Sequence, residues 1–135
     1  MKIKEIYALQ EIIDVTQDSV KYDRWYNELL NKTEDELTEN DVYMMFTQRV
    51  LEELAVKKAI AFVEADPLAG TMWDGQSLEQ LAEAPLEKLL SYKMELKKLS
   101  LLVEASIDSS LWDFDFEEKE FMERFEKFKI RIADL

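Results

Sequence analysis

Two glycines and two prolines in 135 residues leave this chain few places to turn. Antiparallel β folds depend on frequent tight turns and usually contain more of both residues. Such sparse punctuation favours helices with few interruptions. Three of the four residues, Pro67, Gly70 and Gly75, fall between Asp66 and Gln76, the clearest loop of the chain. The length suits one compact domain. At this size a chain buries roughly two-thirds of its unfolded surface and needs no staples. The expectation is an all-α fold, a single-domain helical bundle of about five to six helices over residues 1–135.

Hydrophobic spacing positions those helices. Ile6, Leu9 and Ile13 predict a first helix over 2–15. Tyr22, Trp25, Tyr26 and Leu29 predict a second over 19–31, followed by a polar connection. Thr38-Glu39-Asn40-Asp41 is an imperfect capping box, with Asp where Glu or Gln is preferred. A third helix is expected over 39–65. Val50, Leu51, Leu54, Ala55, Ala59, Ile60, Ala61, Phe62 and Val63 cover more than one of its stripes, as a centrally packed helix requires. Asp66-Pro67 should end it, because the residue before Pro is pushed out of the helical region. Ser77-Leu78-Glu79-Gln80 reads as a capping box for a fourth helix, and Pro85 suits the first turn of another. Two seams follow: Leu89, Tyr92, Leu96, Leu99 and Val103, then Phe121, Phe125, Phe128, Ile132 and Leu135 on a last helix over 115–133. Both read as core-facing, which leaves a monomer or weak self-association. Alternating apolar and polar residues allow a short strand near the N-terminus or at Trp112–Phe116.

The missing residue types narrow the chemistry. There is no His and no Cys. That removes Ser-His-Asp and Cys-His catalysis, disulfides and the usual zinc sites. Glu-x-x-His di-metal bundles are removed with them. Carboxylates are the abundant reactive groups. Asp113-Phe114-Asp115-Phe116-Glu117 opens like a calcium loop, but Glu118 stands at the sixth position, where Gly is needed, and Arg124 at the twelfth, where Glu is needed. No Gly-Lys-Ser/Thr phosphate loop is present. The reading is no enzyme, no cofactor and no metal. The opening residues lack the apolar core of a secretion signal, and no window approaches the ~20 apolar residues of a membrane span. A cytoplasmic protein with no membrane partner is expected.

Seventeen Lys and Arg against thirty Asp and Glu leave a net charge of −13. That disfavours binding to a phosphate backbone, so no nucleic-acid partner is expected. It favours a partner that is itself basic. Glu64 to Glu87 contains six acids and no Lys or Arg, and Glu104 to Glu120 contains seven acids against Lys119 alone. Blocks of one sign produce a field rather than salt bridges, which serves either solubility alone or steering of a basic protein. The candidate contact residues are Asp113, Asp115, Glu117 and Glu118 with Trp112. Trp73 and Asp74 in the loop come second, Trp73 either folding onto the core or serving as an interface anchor.

One stretch resembles a known family. Asp41-Val42-Tyr43-Met44-Met45-Phe46-Thr47-Gln48-Arg49 leads into Leu54-Ala55-Val56-Lys57-Lys58-Ala59. Then come Glu64-Ala65-Asp66-Pro67-Leu68-Ala69-Gly70-Thr71-Met72-Trp73-Asp74-Gly75 and Leu78-Glu79-Gln80-Leu81. Over about residues 20–90 the chain resembles the immunity proteins of bacterial contact-dependent growth inhibition, and its Asp66–Gly75 loop is the most specific part of that likeness. The resemblance implies neutralisation in the cytoplasm of a cognate toxin's C-terminal domain. Many such toxins are nucleases with basic clefts, which an acidic surface would cap. The loop itself serves either as scaffold or as toxin contact. The rival reading is an acidic antitoxin or a nucleic-acid mimic that titrates a basic protein.

Overall fold

A computed structural model of the protein describes residues 1–13, 15 and 21–135, and all regular structure among them is helical. The α-helices are α1 (Ile3–Ile6), α2 (Lys21–Leu30), α3 (Glu39–Gln48), α4 (Glu52–Ala65), α5 (Gln76–Glu83), α6 (Leu86–Leu89), α7 (Lys93–Ser106) and α8 (Asp115–Ala133). Short 3-10 turns lie at Glu34–Glu36, Leu90–Tyr92 and Ser109–Leu111. The all-α class follows from the sequence as expected. No strand forms at Trp112–Phe116 or among the described N-terminal residues. Instead, Trp112 and Phe114 have extended backbone that leads from a 3-10 turn into α8.

The chain divides into two compact units, Met1–Asp41 and Val42–Leu135. In the first, α1 packs on α2, and Ile3, Leu29, Leu30 and Leu37 are buried. The expected helix over 2–15 stops after four residues. Ala8 adopts a left-handed φ of 52°, and the Asn27 side chain then pairs with the backbone of Ile12. The Ile12 amide donates to Asn27 Oδ1 at 2.7 Å, and Asn27 Nδ2 donates to the Ile12 carbonyl at 3.0 Å. Those two bonds satisfy backbone groups that a helix would have satisfied internally. Ile13 is left 81% exposed, so the Ile6–Leu9–Ile13 seam does not exist.

In this unit the imperfect capping box closes in both directions. The Asp41 amide donates to Thr38 Oγ1 at 3.1 Å, and the Thr38 amide donates to Asp41 Oδ2 at 3.0 Å. Asp41 is buried and also accepts from Lys32 Nζ at 2.7 Å and from the Trp25 indole at 3.4 Å. Burial pushes the Asp41 carboxyl up, but the Lys32 bond, the Thr38 amide and the Lys32 charge outweigh it and hold the carboxyl below its ordinary value.

In the second unit α5 packs on both α4 and α8, and α4 packs also on α6 and α7. The buried positions of α4 are Leu54, Ala55, Val56, Ala59, Ile60 and Val63. The expected helix over 39–65 is in fact two. Arg49 takes a φ of 56°, and its amide donates to Phe46 O at 3.3 Å while the Val50 amide reaches Met45 O at 2.9 Å. This pair of bonds is a Schellman C-cap with Arg where Gly usually stands. Without Gly or Pro there, no punctuation advertised the break. Leu51, at the N-cap of α4, is left-handed as well, with a φ of 48°.

The two later seams form as expected. Leu89, Leu96, Leu99 and Val103 are buried, as are Phe121, Phe125, Phe128 and Ile132. Tyr92 and Leu135 are only half-buried. Arg131 Nη2 donates to the Ala84 carbonyl at 2.6 Å and ties the end of α8 to the end of α5. Pro85 occupies the N-cap of α6, one residue earlier than expected.

Candidate functional site

The loop between α4 and α5 is built from its own backbone. Pro67 ends α4 at Asp66, whose Oδ1 then accepts from the Leu68 amide at 3.0 Å, a local turn typical of Asp. The Gly75 amide donates to Leu68 O at 3.1 Å, and the Ser77 amide to Ala69 O at 3.1 Å. Gln76, buried in the first turn of α5, holds the far side. Its Oε1 accepts from the amides of Thr71 at 2.8 Å and Met72 at 3.0 Å.

The two glycines serve different needs. Gly75 is left-handed with a φ of 79°, and a Cβ on it would lie 2.8 Å from the Phe121 ring. Gly70 does not have positive φ; it is required because a Cβ would fall 2.1 Å from Trp73 O. Gly75 is also the N-cap of α5. The expected capping box at Ser77 is therefore absent, and Ser77 is buried one residue inside the helix.

This loop meets the start of α8. Trp112 donates its indole N–H to Asp74 Oδ2 at 3.2 Å and lies against Phe121 with ring centroids 5.2 Å apart. Only 9% exposed, Trp112 acts as a support beneath the loop. Arg124 of α8 completes the junction. Its Nη1 donates to Asp74 O at 3.0 Å, its Nε faces Glu79 at 3.4 Å, and its guanidinium stands 5.8 Å from the Trp73 ring centre. Trp73 remains 39% exposed above it. The structure thus joins the first and second choices from sequence into one face, with Trp112 under it and Trp73 and Asp74 on it.

Asp113 and Asp115 are exposed at the beginning of α8, and Glu117 and Glu118 are half-exposed. Glu118 accepts from Ser109 Oγ at 2.9 Å, and Glu120 faces Arg124 at 3.9 Å. Just upstream, Asp108 accepts from both the hydroxyl and the amide of Ser110, in that order of weight, and these bonds hold its carboxyl below the ordinary value. A cavity of about 290 Å³ opens between loop and helix, lined by Met72, Trp73, Asp74, Phe116, Glu117, Glu120 and Arg124.

Sequence reasoning missed Arg124, Gln76, Phe114 and Phe116. Gln76 and Arg124 carried no sequence signal as structural clamps. The two phenylalanines did: each alternates with an acid just outside the buried seam. A second cavity, of about 220 Å³, lies beside the α3–α4 break and includes Tyr43, Phe46, Arg49, Glu52 and Glu83. Among the described residues no cluster of acids could hold a metal ion, and no helix is long and apolar enough to cross a membrane.

Fold and face together define a small all-α protein with a composite surface of loop and helix. A family model described as CDI immunity proteins matches residues 6–99, and the chain belongs to that family of contact-dependent growth inhibition immunity proteins. Its role is accordingly that of an immunity protein directed against a toxin protein. The match takes in the whole α4–α5 loop and ends within α7, so α8 lies beyond it. The comparison with curated proteins finds no match.

Proposed function

We propose that this chain neutralises its cognate toxin domain in the cytoplasm by docking an acidic face onto a basic surface of that domain, and that the toxin is a nuclease. The whole chain, residues 1–135, acts as one immunity module without catalysis of its own. One observation carries the reading: Asp113, Asp115 and Glu117 make no ion pair among the described residues, while the one arginine beside them, Arg124, is taken up by Asp74, Glu79 and Glu120. Their field is directed outward and suits a partner whose own cleft is built for phosphates.

The test is a binding measurement between this chain and the toxin domain encoded beside it, at low and at high salt. A one-to-one complex whose association slows sharply with salt is expected, because exposed charges are screened beyond roughly 10 Å at 0.1 M ionic strength. No complex at either salt would sink the immunity reading for that pair and bring forward the acidic antitoxin or nucleic-acid mimic. Rates that stay flat with salt would remove the acidic docking face alone. Cleavage of DNA or RNA by the free toxin domain, lost on adding this chain, checks the nuclease assignment.

A further inference from the structure

The acids do not stand on a polar surface. Phe114 and Phe116 are each 61% exposed, and they stack on one another with ring centroids 5.6 Å apart and planes 21° apart. Phe116 also lines the 290 Å³ cavity, whose opposite wall is Met72 and Trp73 of the loop. Both loop residues are themselves exposed. Four large apolar side chains from two separate segments therefore form one exposed patch. Glu117, Glu120 and Arg124 line the same cavity, Asp113 and Asp115 are exposed next to the phenylalanines in the chain, and Lys119 is the single cation between Trp112 and Glu120.

An exposed, contiguous apolar patch with a polar rim is the anatomy of a protein interface. Aromatic anchors at the centre hold the complex, and rim charges mainly set the rate of encounter. Phosphate mimicry has no use for the apolar centre, since a nucleic-acid surrogate needs charges and not phenyl rings. We infer that the Phe114–Phe116 pair, with Met72 and Trp73, is the hot spot that grips the toxin domain, and that its occupant is an apolar side chain of that domain framed by Lys and Arg. The complementarity follows from the acids, which outnumber Arg124 and Lys119 on this face and leave Arg124 paired with Glu79 and Glu120: a mostly acidic rim fits a basic one. This inference rests on the immunity reading above and assigns separate duties within it. The acids govern association, and the phenylalanines govern dissociation.

The experiment follows binding of the adjacent toxin domain to full-length protein by surface kinetics at several salt concentrations. Phe114→Ala with Phe116→Ala should weaken affinity at least about 30-fold, or about 2 kcal/mol at 1.4 kcal/mol per tenfold. The loss should fall in the off-rate, with the salt slope unchanged. Asp113→Lys with Asp115→Lys and Glu117→Lys should instead slow association and flatten the salt slope. A wild-type off-rate in the folded phenylalanine variant overturns this inference and leaves the immunity reading standing. No binding by wild-type protein overturns both. Should the variant fail to fold, hydrogen exchange of the wild-type complex decides. Protection of residues 72–74 and 112–118 on toxin binding supports the inference, and unchanged exchange there overturns it. A concentration-dependent dimer abolished by Phe114→Ala would assign the patch to a second copy of this chain and also overturn it.

Discussion

Helix α8 and the residues that lead into it contain five phenylalanines with two opposite fates. Phe121, Phe125 and Phe128 are buried and stack in series, with ring centroids 6.4 and 6.5 Å apart. Phe114 and Phe116 face water. Residue type does not separate the two groups; backbone geometry does. Phe114 stands seven residues before Phe121, one heptad back along the same seam. It occupies the N-cap, however, with extended backbone at φ −128° and ψ 141°, so its side chain leaves the helical stripe. Phe116 lies off the stripe altogether. The body of α8 serves folding, and its entrance leaves both phenylalanines exposed. The acids divide in the same way: Asp41 is buried and fully bonded, while Asp113 and Asp115 are exposed.

The sharpest test of the division is Phe125→Ala. A fully buried phenylalanine should cost about 3–5 kcal/mol, read as a large drop in the denaturant midpoint. A loss below about 1 kcal/mol would mean that the body of α8 is no more structural than its entrance. Gly75→Ala should come next, at about 1–3 kcal/mol, because positive φ and the Phe121 ring both resist a Cβ. Thermal melting reads this one, and a neutral result would show that the loop can move off the phenylalanine.

Asp41→Asn should lower stability by about 1–3 kcal/mol, through loss of a charged hydrogen bond to a partly solvated Lys32. The sign with pH is fixed by the lowered pKa of Asp41. Its contribution is fully present above the unfolded value, about 3.9, and disappears as pH falls through the lower folded value. In acid titration of unfolding, the wild type should therefore converge on Asp41→Asn below that window. Parallel curves throughout would contradict the network. Trp112→Phe keeps the packing on Phe121 and loses the bond to Asp74, for about 1 kcal/mol, together with faster amide exchange in the 70–76 loop. The smallest stability effect belongs to Phe114→Ala, within about 0.5 kcal/mol. A larger loss would show that the exposed pair supports the fold.

Most of the helical layout was legible because a buried stripe leaves a period in the sequence. The seams at Leu89–Val103 and Phe121–Ile132 repeat at 3,4 spacing and form where that period puts them. Pro67 ended α4 for a reason local to one peptide unit. What escaped had no local signature. Arg49 takes a conformation that Gly usually supplies, so a helix break was written without punctuation. Ala8 turns left-handed just after α1, and Asn27 takes up the backbone of Ile12 from fifteen residues away. The proposed binding face was half legible. The acids and Trp73 stood out as unusual runs and placements. Arg124 stood out only as the residue where a calcium loop needs Glu, and the two exposed phenylalanines only as apolar members of a possible short strand.

By itself the sequence determined that this protein is helical, strongly acidic, without His or Cys chemistry, and similar to the immunity proteins it proved to belong with. Those are properties of composition, periodicity and a short loop motif, each readable within a few turns of chain. Only the tertiary structure decided that the α4–α5 loop and the entrance of α8 form one surface. It did so through the Trp112–Asp74 bond and the contacts of Arg124 to Trp73, Asp74 and Glu79, which span 38 to 51 residues of sequence. Contacts at that separation depend on how the helices pack, and packing leaves no periodic trace in the segments it joins.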